Sequence, residues 1–373
     1  MDGNILKTVT HLRHMLHLSP ELSLHEQRTK VALIKFLKTQ TTIKVVERGR
    51  WFYALHSGSG KGEPIAFRAD MDALPIDESG CDLQYKSKLK GVSHKCGHDG
   101  HCAILEGLAM ELEGRETPGD VYLIFQHAEE IGAGGEECAQ LIEEKGIKRV
   151  YALHNGNGFP ENSVVVRSGV SQCASMGLTV RFRGVRTHAS QPELGRNPAE
   201  AVARLAMAID GQNRSPESTD GMVLCTIVHM LVGSRDFGCS PADGELSVTL
   251  RTDYERDLDR VNALVRETSE NLAKEYGLSV SFEESDRFPE TLNDAAEAER
   301  VADCAKRLGL EVVRPKRPLR ASEDFGHFLK KCPGAIFYIG NGVDYPALHS
   351  LDYDFNDNII ETGVDMFLEL IKG

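Results

Sequence analysis

Four short apolar runs, each leading into acidic or histidine side chains, constrain the fold of this 373-residue chain more than any other feature. The runs cover residues 65–69, 121–125, 150–153 and 335–339. The polar residues beyond them include Asp70, Glu129, His154 and His349. Continuous apolar runs of this length are typical of strands buried on both faces, as in parallel sheets. Segments with helical character separate them, at residues 102–114, 136–145 and 295–308. The pattern predicts an α/β fold with a mostly parallel sheet, helices on both faces, and polar residues gathered at its carboxyl edge.

The pattern changes between residues 170 and 287. Residues 178–183 and 246–251 alternate apolar and polar side chains, which predicts strands with one face in solvent. Two amphipathic helices accompany them, one beginning at Pro198 and the other ending at Gly277. Because strands with potential metal donors lie on both sides, we predict an inserted α+β domain at residues 170–287. Residues 1–169 and 288–373 then form one catalytic domain.

Composition excludes some classes of function. The net charge is −13, and no basic run with interleaved aromatic residues is present, so nucleic acid is not expected as a partner. No run of eighteen apolar residues occurs, so no membrane span is expected. The nine cysteines are scattered and the first residues do not resemble a secretory leader, which together predict a cytoplasmic protein with reduced thiols.

Residues 93–101 carry a thiol, three imidazoles and a carboxylate within nine positions. Cys96 and His98 are too close together to be the separated ligand pairs of a zinc finger, but they suit two donors that converge on a metal from one loop. Helix-forming residues follow, so the positive end of a helix is expected to favour the Cys96 thiolate. His94, Asp99 and His101 are alternative ligands, although His101 is expected to make a structural hydrogen bond.

A hydrolytic metal site needs donors that fix the ion and a base that takes a proton from water. The candidate donors are Cys96, His98, Glu130, His154 and His349. Glu129 and Glu130 are adjacent and point in different directions, so one can bind metal while the other faces the substrate as general base. Asp72 is predicted to orient a ligating imidazole, and direct ligation by Asp72 is the alternative.

Three further segments have candidate roles. His188 lies in a loop of small residues and can polarise a carbonyl oxygen if its domain closes over the site. Arg251, at the end of a predicted strand, can bind a substrate carboxylate. Residues 322–325, with the sequence SEDF, are predicted to form a helix N-cap with acidic residues in the first turn.

These residues together resemble the M20 metallopeptidase and aminoacylase family. The resemblance is strongest to the amidohydrolase branch, which includes hippurate hydrolases, N-acetyl-diaminopimelate deacetylases and plant auxin-conjugate hydrolases. The matching motifs keep the family's order: SPELS at 19–23, FRADMDALP at 67–75, CGHDGH at 96–101, AEE at 128–130, LH at 153–154, THA at 187–189, SEDF at 322–325 and LHS at 348–350.

The resemblance implies a two-metal catalytic domain interrupted by a lid domain that usually dimerises. It implies that the metal ligands are Cys96, His98, Glu130, His154 and His349. Glu129 corresponds to the catalytic base, His188 to a lid histidine that stabilises the oxyanion in the partner subunit's site, and Arg251 to a group that binds the substrate carboxylate. The donor set accepts zinc, manganese, cobalt or nickel.

The chain departs from the family in one lid segment. Many relatives carry the sequence NVIPD where this chain has Gly238, Cys239, Ser240, Pro241 and Ala242. The missing asparagine affects how the lid would recognise its substrate.

The sequence thus predicts a metal-dependent amidohydrolase that cleaves a small N-acyl amino acid and forms a homodimer. A dipeptidase of the same fold is the nearest alternative. A cysteine hydrolase that uses Cys96 with His98, and a metal-binding protein without catalysis, are more distant alternatives.

Overall fold

The computed structural model describes residues 1–215 and 218–373. Its helices, in chain order, are α1 (Gly3–His17), α2 (Gln27–Gln40), α3 (His98–Leu112), α4 (Gly135–Lys145), α5 (Ala199–Asp210), α6 (Glu255–Tyr276), α7 (Ala295–Arg307), α8 (Gly326–Leu329) and α9 (Ile360–Lys372). Its strands are β1 (Lys44–Arg48), β2 (Trp51–His56), β3 (Ile65–Asp70), β4 (Val121–Gln126), β5 (Arg149–Asn157), β6 (Val164–Val165), β7 (Gly169–Gln172), β8 (Ala174–Arg183), β9 (Thr187–His188), β10 (Val223–Val232), β11 (Cys239–Ser240), β12 (Asp243–Thr252), β13 (Ser279–Phe288), β14 (Thr291–Asn293), β15 (Val312–Val313) and β16 (Gly334–Gly342). None of the described helices is long and apolar enough to cross a membrane.

The chain divides into two compact units. The first comprises Met1–Ser171, Thr291–Lys316 and Glu323–Gly373, and the second comprises Gln172–Glu290 and Arg317–Ser322. The sequence prediction placed residues 317–322 in the catalytic domain. The structure groups them with the second unit because their backbone pairs with its first residues: Leu319 forms a bridge with Gln172, and the Cys173 N–H donates to the Ala321 carbonyl oxygen at 3.0 Å.

The first unit is built on an eight-stranded sheet in the order β1-β2-β4-β3-β5-β16-β6-β15. The four central strands, β4, β3, β5 and β16, are mutually parallel. The flanks are mixed, since β2 runs antiparallel to both β1 and β4, and β6 runs antiparallel to β16. A two-residue turn joins β1 to β2, with Gly49 at φ +68°, and so tight a turn can connect only antiparallel strands.

Helices cover both faces of this sheet. On one face Phe67 and Leu123 pack with apolar residues of α1, α2, α3, α7 and α9. On the other face Tyr122 and Ile124 pack with residues of α4 and α8. The predicted α/β class with helices on both faces is therefore confirmed, and the sheet is parallel at its centre.

The carboxyl ends of the parallel strands meet at one edge, and α3 begins there at His98. Gly97 precedes the helix with φ +101°, and a Cβ at this position would lie 2.3 Å from Asn155 Oδ1. Glycine is therefore required where the chain turns into the helix. The tight turn holds Cys96 and His98 beside the ends of the central strands.

The second unit contains a four-stranded antiparallel sheet in the order β10-β12-β8-β13. Along β8 and β12 buried residues alternate with more exposed ones, as the sequence predicted. The buried residues, among them Val180 and Leu246, pack with α5 and α6 on one face. A short ribbon, β9 paired with β11, extends from this unit.

Candidate metal centre and active site

The five predicted donors lie together at the carboxyl edge of the first unit's sheet. They are referred to below as the donor cluster: Cys96, His98, Glu130, His154 and His349. Three sets that each contain at least two of these donors have ligand atoms within 4.8 Å of one another: Cys96 with His98 and His154, Cys96 with Glu130 and His349, and His98 with Glu129 and Glu130. Chain segments far apart in sequence therefore deliver sulfur, nitrogen and oxygen donors to one place.

Local backbone contacts fix two of these donors. His154 lies within β5, which continues four residues beyond the predicted end of the apolar run. His349 follows β16 in a loop, where it adopts φ +65°. Its N–H donates to the Lys95 carbonyl oxygen at 2.8 Å, which ties the His349 loop to the residue before Cys96.

Two donor atoms in the cluster face each other without a hydrogen bond between them. The Nε2 atom of His98 lies 3.7 Å from Glu130 Oε1, and both atoms are buried without a hydrogen-bond partner among the described residues. The Sγ atom of Cys96 lies 3.5 Å from His154 Nε2. Buried polar atoms left unpaired are costly, and a shared cation satisfies them. The donor set therefore fits a divalent metal.

The second ring nitrogen of each buried histidine is engaged elsewhere. His98 Nδ1 donates to the Asp72 carbonyl oxygen at 3.0 Å, and His154 Nδ1 donates to the Asn155 carbonyl oxygen at 2.8 Å. The Nε2 atom of each ring is thus left for the cluster, and it is the atom that would ligate a metal. Burial and nearby His101 lower the pKa of His154 well below its usual range, which keeps that ring neutral.

The cluster favours a positive charge. Burial alone would lower the pKa of His98, but the nearby Asp70 charge outweighs it and holds that pKa well above its usual range. The surrounding acidic groups thus stabilise a cation at this position, whether a ring proton or a metal ion.

Asp72 connects two members of the cluster. Its Oδ2 accepts the Glu130 N–H at 2.9 Å and the Ser23 hydroxyl at 2.7 Å, and its Oδ1 lies 3.2 Å from His98 Nδ1. Both carboxylate oxygens are occupied by protein donors. This geometry supports the orienting role predicted for Asp72 rather than direct ligation.

Glu129 is buried beside the cluster, with its Oε2 3.9 Å from His98 Nε2. Burial raises the pKa of Glu129 well above its usual range, and the charges of Glu323 and Glu130 raise it further. A carboxyl group in such surroundings holds a proton readily. A general base needs this property, because it must accept a proton from water.

The prediction for residues 322–325 was wrong. Phe325 is the N-cap residue of α8, whereas Glu323 and Asp324 are buried and paired with Arg68 at 3.0 and 2.8 Å. Arg68, on β3, also pairs with Asp70 at 2.7 Å. Buried carboxylates need such a cation, and the sequence did not reveal it because Arg68 and Asp324 are 256 residues apart.

The three alternative ligands have other surroundings. His101 contacts Asp70 Oδ1 at 2.6 Å and Asn155 Oδ1 at 2.7 Å, which matches the structural hydrogen bonding expected of it. Asp99 contacts His17 Nδ1 at 2.8 Å. His94 is buried, and neither of its ring nitrogens has a hydrogen-bond partner among the described residues.

The expected stabilisation of a Cys96 thiolate by the helix start is not found in the protein alone. Burial raises the pKa of the Cys96 thiol well above its usual range, and the Glu130 charge adds to this. Desolvation therefore outweighs the helix dipole, and only a bound cation would hold the thiolate. A protonated thiol is a poor nucleophile, so the cysteine-hydrolase alternative is not favoured.

In the second unit, His188 is exposed on β9 and lies directly opposite Cys239 of β11. The altered segment at 238–242 thus contains the strand that pairs with the histidine. The His188 Nδ1 atom accepts the Ser190 N–H at 3.2 Å, which leaves the ring proton on Nε2. Nε2 is therefore available as a hydrogen-bond donor.

Arg251 is half-buried on β12. Its Nη1 donates to the Ser322 hydroxyl at 2.7 Å and to the Arg320 carbonyl oxygen. No acidic side chain pairs with Arg251 among the described residues, so its charge is available to an anionic ligand.

Comparison with known proteins agrees with this geometry. The model of peptidase family M20/M25/M40 matches residues 66–373. An N-acetyl-L-cysteine deacetylase of Bacillus subtilis is 30% identical over 347 residues, which cover 92% of this chain and 82% of that protein. Thermostable carboxypeptidase 1 of Saccharolobus solfataricus is 29% identical over 95% of this chain and 92% of its own. A Bacillus subtilis crystal structure described as a dinuclear metal-binding peptidase of the M20 family aligns with a TM-score of 0.83 and 25% identity, over 99% of this chain and 98% of that chain.

Proposed function

The chain belongs to peptidase family M20/M25/M40 and is a metal-dependent amide hydrolase, and we propose that its substrate is an N-acyl amino acid. Hydrolysis releases a carboxylic acid and the free amino acid. The observation that supports amide hydrolysis most strongly is the buried Glu129 carboxyl beside the donor cluster. The relatives include a deacetylase of this substrate class and a carboxypeptidase, so a short peptide is the alternative substrate.

Two divalent cations would be held by the donor cluster, in line with the dinuclear relative of known structure. When bound, such cations polarise the amide carbonyl and lower the pKa of water. Thiolate and imidazole donors suit zinc, and the mixed set also accepts manganese, cobalt or nickel. Asp72 would keep His98 and Glu130 oriented toward the ions.

The side chains of this protein would supply the remaining steps. Glu129 takes a proton from water as the water oxygen bonds to the amide carbonyl carbon. It then delivers that proton to the amide nitrogen, the C–N bond breaks and the free amine leaves. His188, with its ring proton on Nε2, would donate a hydrogen bond to the oxyanion. Arg251 would bind the substrate carboxylate through its guanidinium group.

The test exchanges Glu129 for glutamine. Glu129→Gln is expected to retain the bound metal, measured by elemental analysis, and to lose about 10²- to 10⁴-fold in kcat on N-acyl amino acids. Glu136→Gln, an exposed position in the first turn of α4, is the matched control and is expected to have unchanged kcat. Full activity in metal-replete Glu129→Gln would contradict the assignment.

We further propose that two copies associate along β10. This strand lies at an edge of the second unit's sheet and exposes Val228, Met230 and Leu231, with Met230 55% exposed. Exposed apolar edge strands favour pairing with another chain. Met230→Glu is expected to yield a monomer by light scattering, whereas the control Val31→Glu, exposed on α2, is expected to remain a dimer. A parent protein that is monomeric at high concentration would contradict the proposal.

A cytoplasmic location is also proposed. All nine cysteines are free thiols, six of them buried, as is usual in a reducing compartment. Labelling of all nine thiols after denaturation of freshly isolated protein is the expected result. Freshly isolated protein that contains disulfide bonds would contradict the proposed cytoplasmic location.

A further inference from the structure

Ala128 links β4 to the proposed base in an unusual backbone conformation. It lies directly before Glu129, is fully buried, and adopts φ +51°. Residues with a Cβ atom rarely occupy this left-handed region, and they remain there only where surrounding contacts enforce it. The direction in which the chain enters Glu129 therefore depends on what holds Ala128.

The contact that holds the Ala128 amide comes from a distant part of the chain. Glu26, 2% exposed, accepts the Ala128 N–H through Oε1 at 2.7 Å, although the two residues are 102 positions apart. The Ala128 carbonyl oxygen accepts the Ala133 N–H at 3.0 Å, which closes the turn from the other side. Beyond the base, Asp72 accepts the Glu130 N–H. The N–H groups of the residues on both sides of Glu129 are thus held by buried carboxyl groups.

The contact does not depend on the charge of Glu26. Burial and the nearby Asp72 charge raise the pKa of Glu26 to about 7, so both of its forms occur near neutrality. A carboxylate and a carboxylic acid each leave an oxygen that accepts an N–H. A glutamine side chain offers the same acceptor in the same place.

The loop that carries Glu26 has its own anchors. The Ala73 N–H donates to the Glu21 carbonyl oxygen at 2.8 Å, and the Glu21 carboxylate accepts the Thr29 N–H at 2.8 Å. Loss of the Glu26 acceptor leaves these two anchors in place, and it removes the support of the Ala128 N–H together with that of the Leu24 and Glu26 N–H groups, which also contact the carboxyl.

We propose that Glu26 is a positioning residue for catalysis: its carboxyl group holds the left-handed turn at Ala128 and thereby directs the Glu129 side chain. Glu26 itself touches neither substrate nor metal. The inference rests on the proposed role of Glu129 as general base.

The test compares two substitutions of similar size. Glu26→Met removes the acceptor and is expected to lower kcat about 10- to 100-fold with KM and metal content nearly unchanged, because a small misplacement of a catalytic group costs rate rather than binding. Glu26→Gln keeps the acceptor and is expected to retain kcat. Adding Ala128→Gly to Glu26→Met is expected to restore part of the loss, since glycine adopts positive φ freely.

A matched control pair is available elsewhere in the same unit. Glu111 is a buried carboxylate that accepts the Asp2 N–H at 2.8 Å, on a different part of the fold. Glu111→Met and Glu111→Gln are expected to leave kcat unchanged. Should Glu26→Met fail to fold, Glu26→Asp gives the same test, because it keeps the carboxyl group and shortens its reach.

Hydrogen exchange gives a readout that does not require turnover. In metal-free protein the Ala128 amide is expected to exchange faster in Glu26→Met than in the parent or in Glu26→Gln. Unchanged exchange, unchanged kcat in Glu26→Met, or equal losses in the methionine and glutamine variants would overturn the proposal. A parent that hydrolyses no amide would instead refute the proposed function, while the exchange result would still decide whether Glu26 holds Ala128.

Discussion

Removal of the Asp72 carboxylate is expected to weaken metal binding without touching a proposed ligand. Asp72 is 1% exposed and its two oxygens serve His98, Glu130 and Ser23. In Asp72→Ala the Glu130 N–H and the Ser23 hydroxyl lose their acceptor. The His98 Nδ1 proton keeps one acceptor, since the carbonyl oxygen of residue 72 lies 3.0 Å away.

The size of the effect follows from these contacts. Loss of a group that orients metal ligands typically costs about 10- to 100-fold in metal affinity. That range corresponds to about 1.4–2.7 kcal/mol, which is comparable to leaving one buried N–H unpaired. Asp72→Asn should cost less, about tenfold or below. Its remaining oxygen can face Glu130 and Ser23, while its amide group faces His98.

Zinc titration against a competing chelator measures these affinities directly. The expected order of affinity is parent, then Asp72→Asn, then Asp72→Ala, with the exposed control Asp82→Ala equal to the parent. An Asp72→Ala protein that binds zinc as tightly as the parent would refute the orienting role. So would an asparagine variant weaker than the alanine variant.

Three other predictions follow from the same geometry. Gly134→Ala is expected to lose about 1–3 kcal/mol of unfolding free energy in a denaturant titration, because its Cβ would lie 1.7 Å from the His127 carbonyl oxygen. Burial would lower the pKa of His17, but hydrogen bonds to Asp99 and Glu78 raise it to about 9. The contribution of protonated His17 to the free energy of unfolding is therefore complete below pH 6.5 and is lost, by up to about 3 kcal/mol, as the pH rises through 9. His17→Phe should lack this pH dependence. A His17→Phe protein whose stability varies with pH as the parent's does would contradict the prediction. Cobalt-loaded Cys96→Ser should lack the thiolate-to-cobalt absorption band, and a parent without that band would exclude the thiolate ligand.

The sequence was sufficient to predict the parts of the site that follow from strand ends. Parallel strands place their carboxyl ends at one edge, so Glu130 after β4, His154 on β5 and His349 after β16 could be brought together without coordinates. A different signal placed the Cys96 loop at the start of a helix, because helix-forming residues follow the cluster at 93–101.

Features that depend on distant pairing could not be predicted in this way. Glu323 was assigned to the first turn of a helix, because nothing local indicates that Arg68 lies beside it. The contact of Glu26 with Ala128 is equally invisible in sequence, since left-handed conformations of alanine have no local signature. The reversal of the expected Cys96 pKa has the same origin, because the extent of burial is a property of the whole fold.

The measurement that tests the central claim most directly is hydrolysis of N-acyl amino acids and dipeptides by protein stripped with a chelator and reloaded with single metals. We expect activity to disappear on stripping, to return with zinc, manganese, cobalt or nickel, and to be greatest on an N-acyl amino acid. Activity that survives complete removal of metal would contradict the assignment, as would metal binding at the donor cluster with no amide hydrolysed.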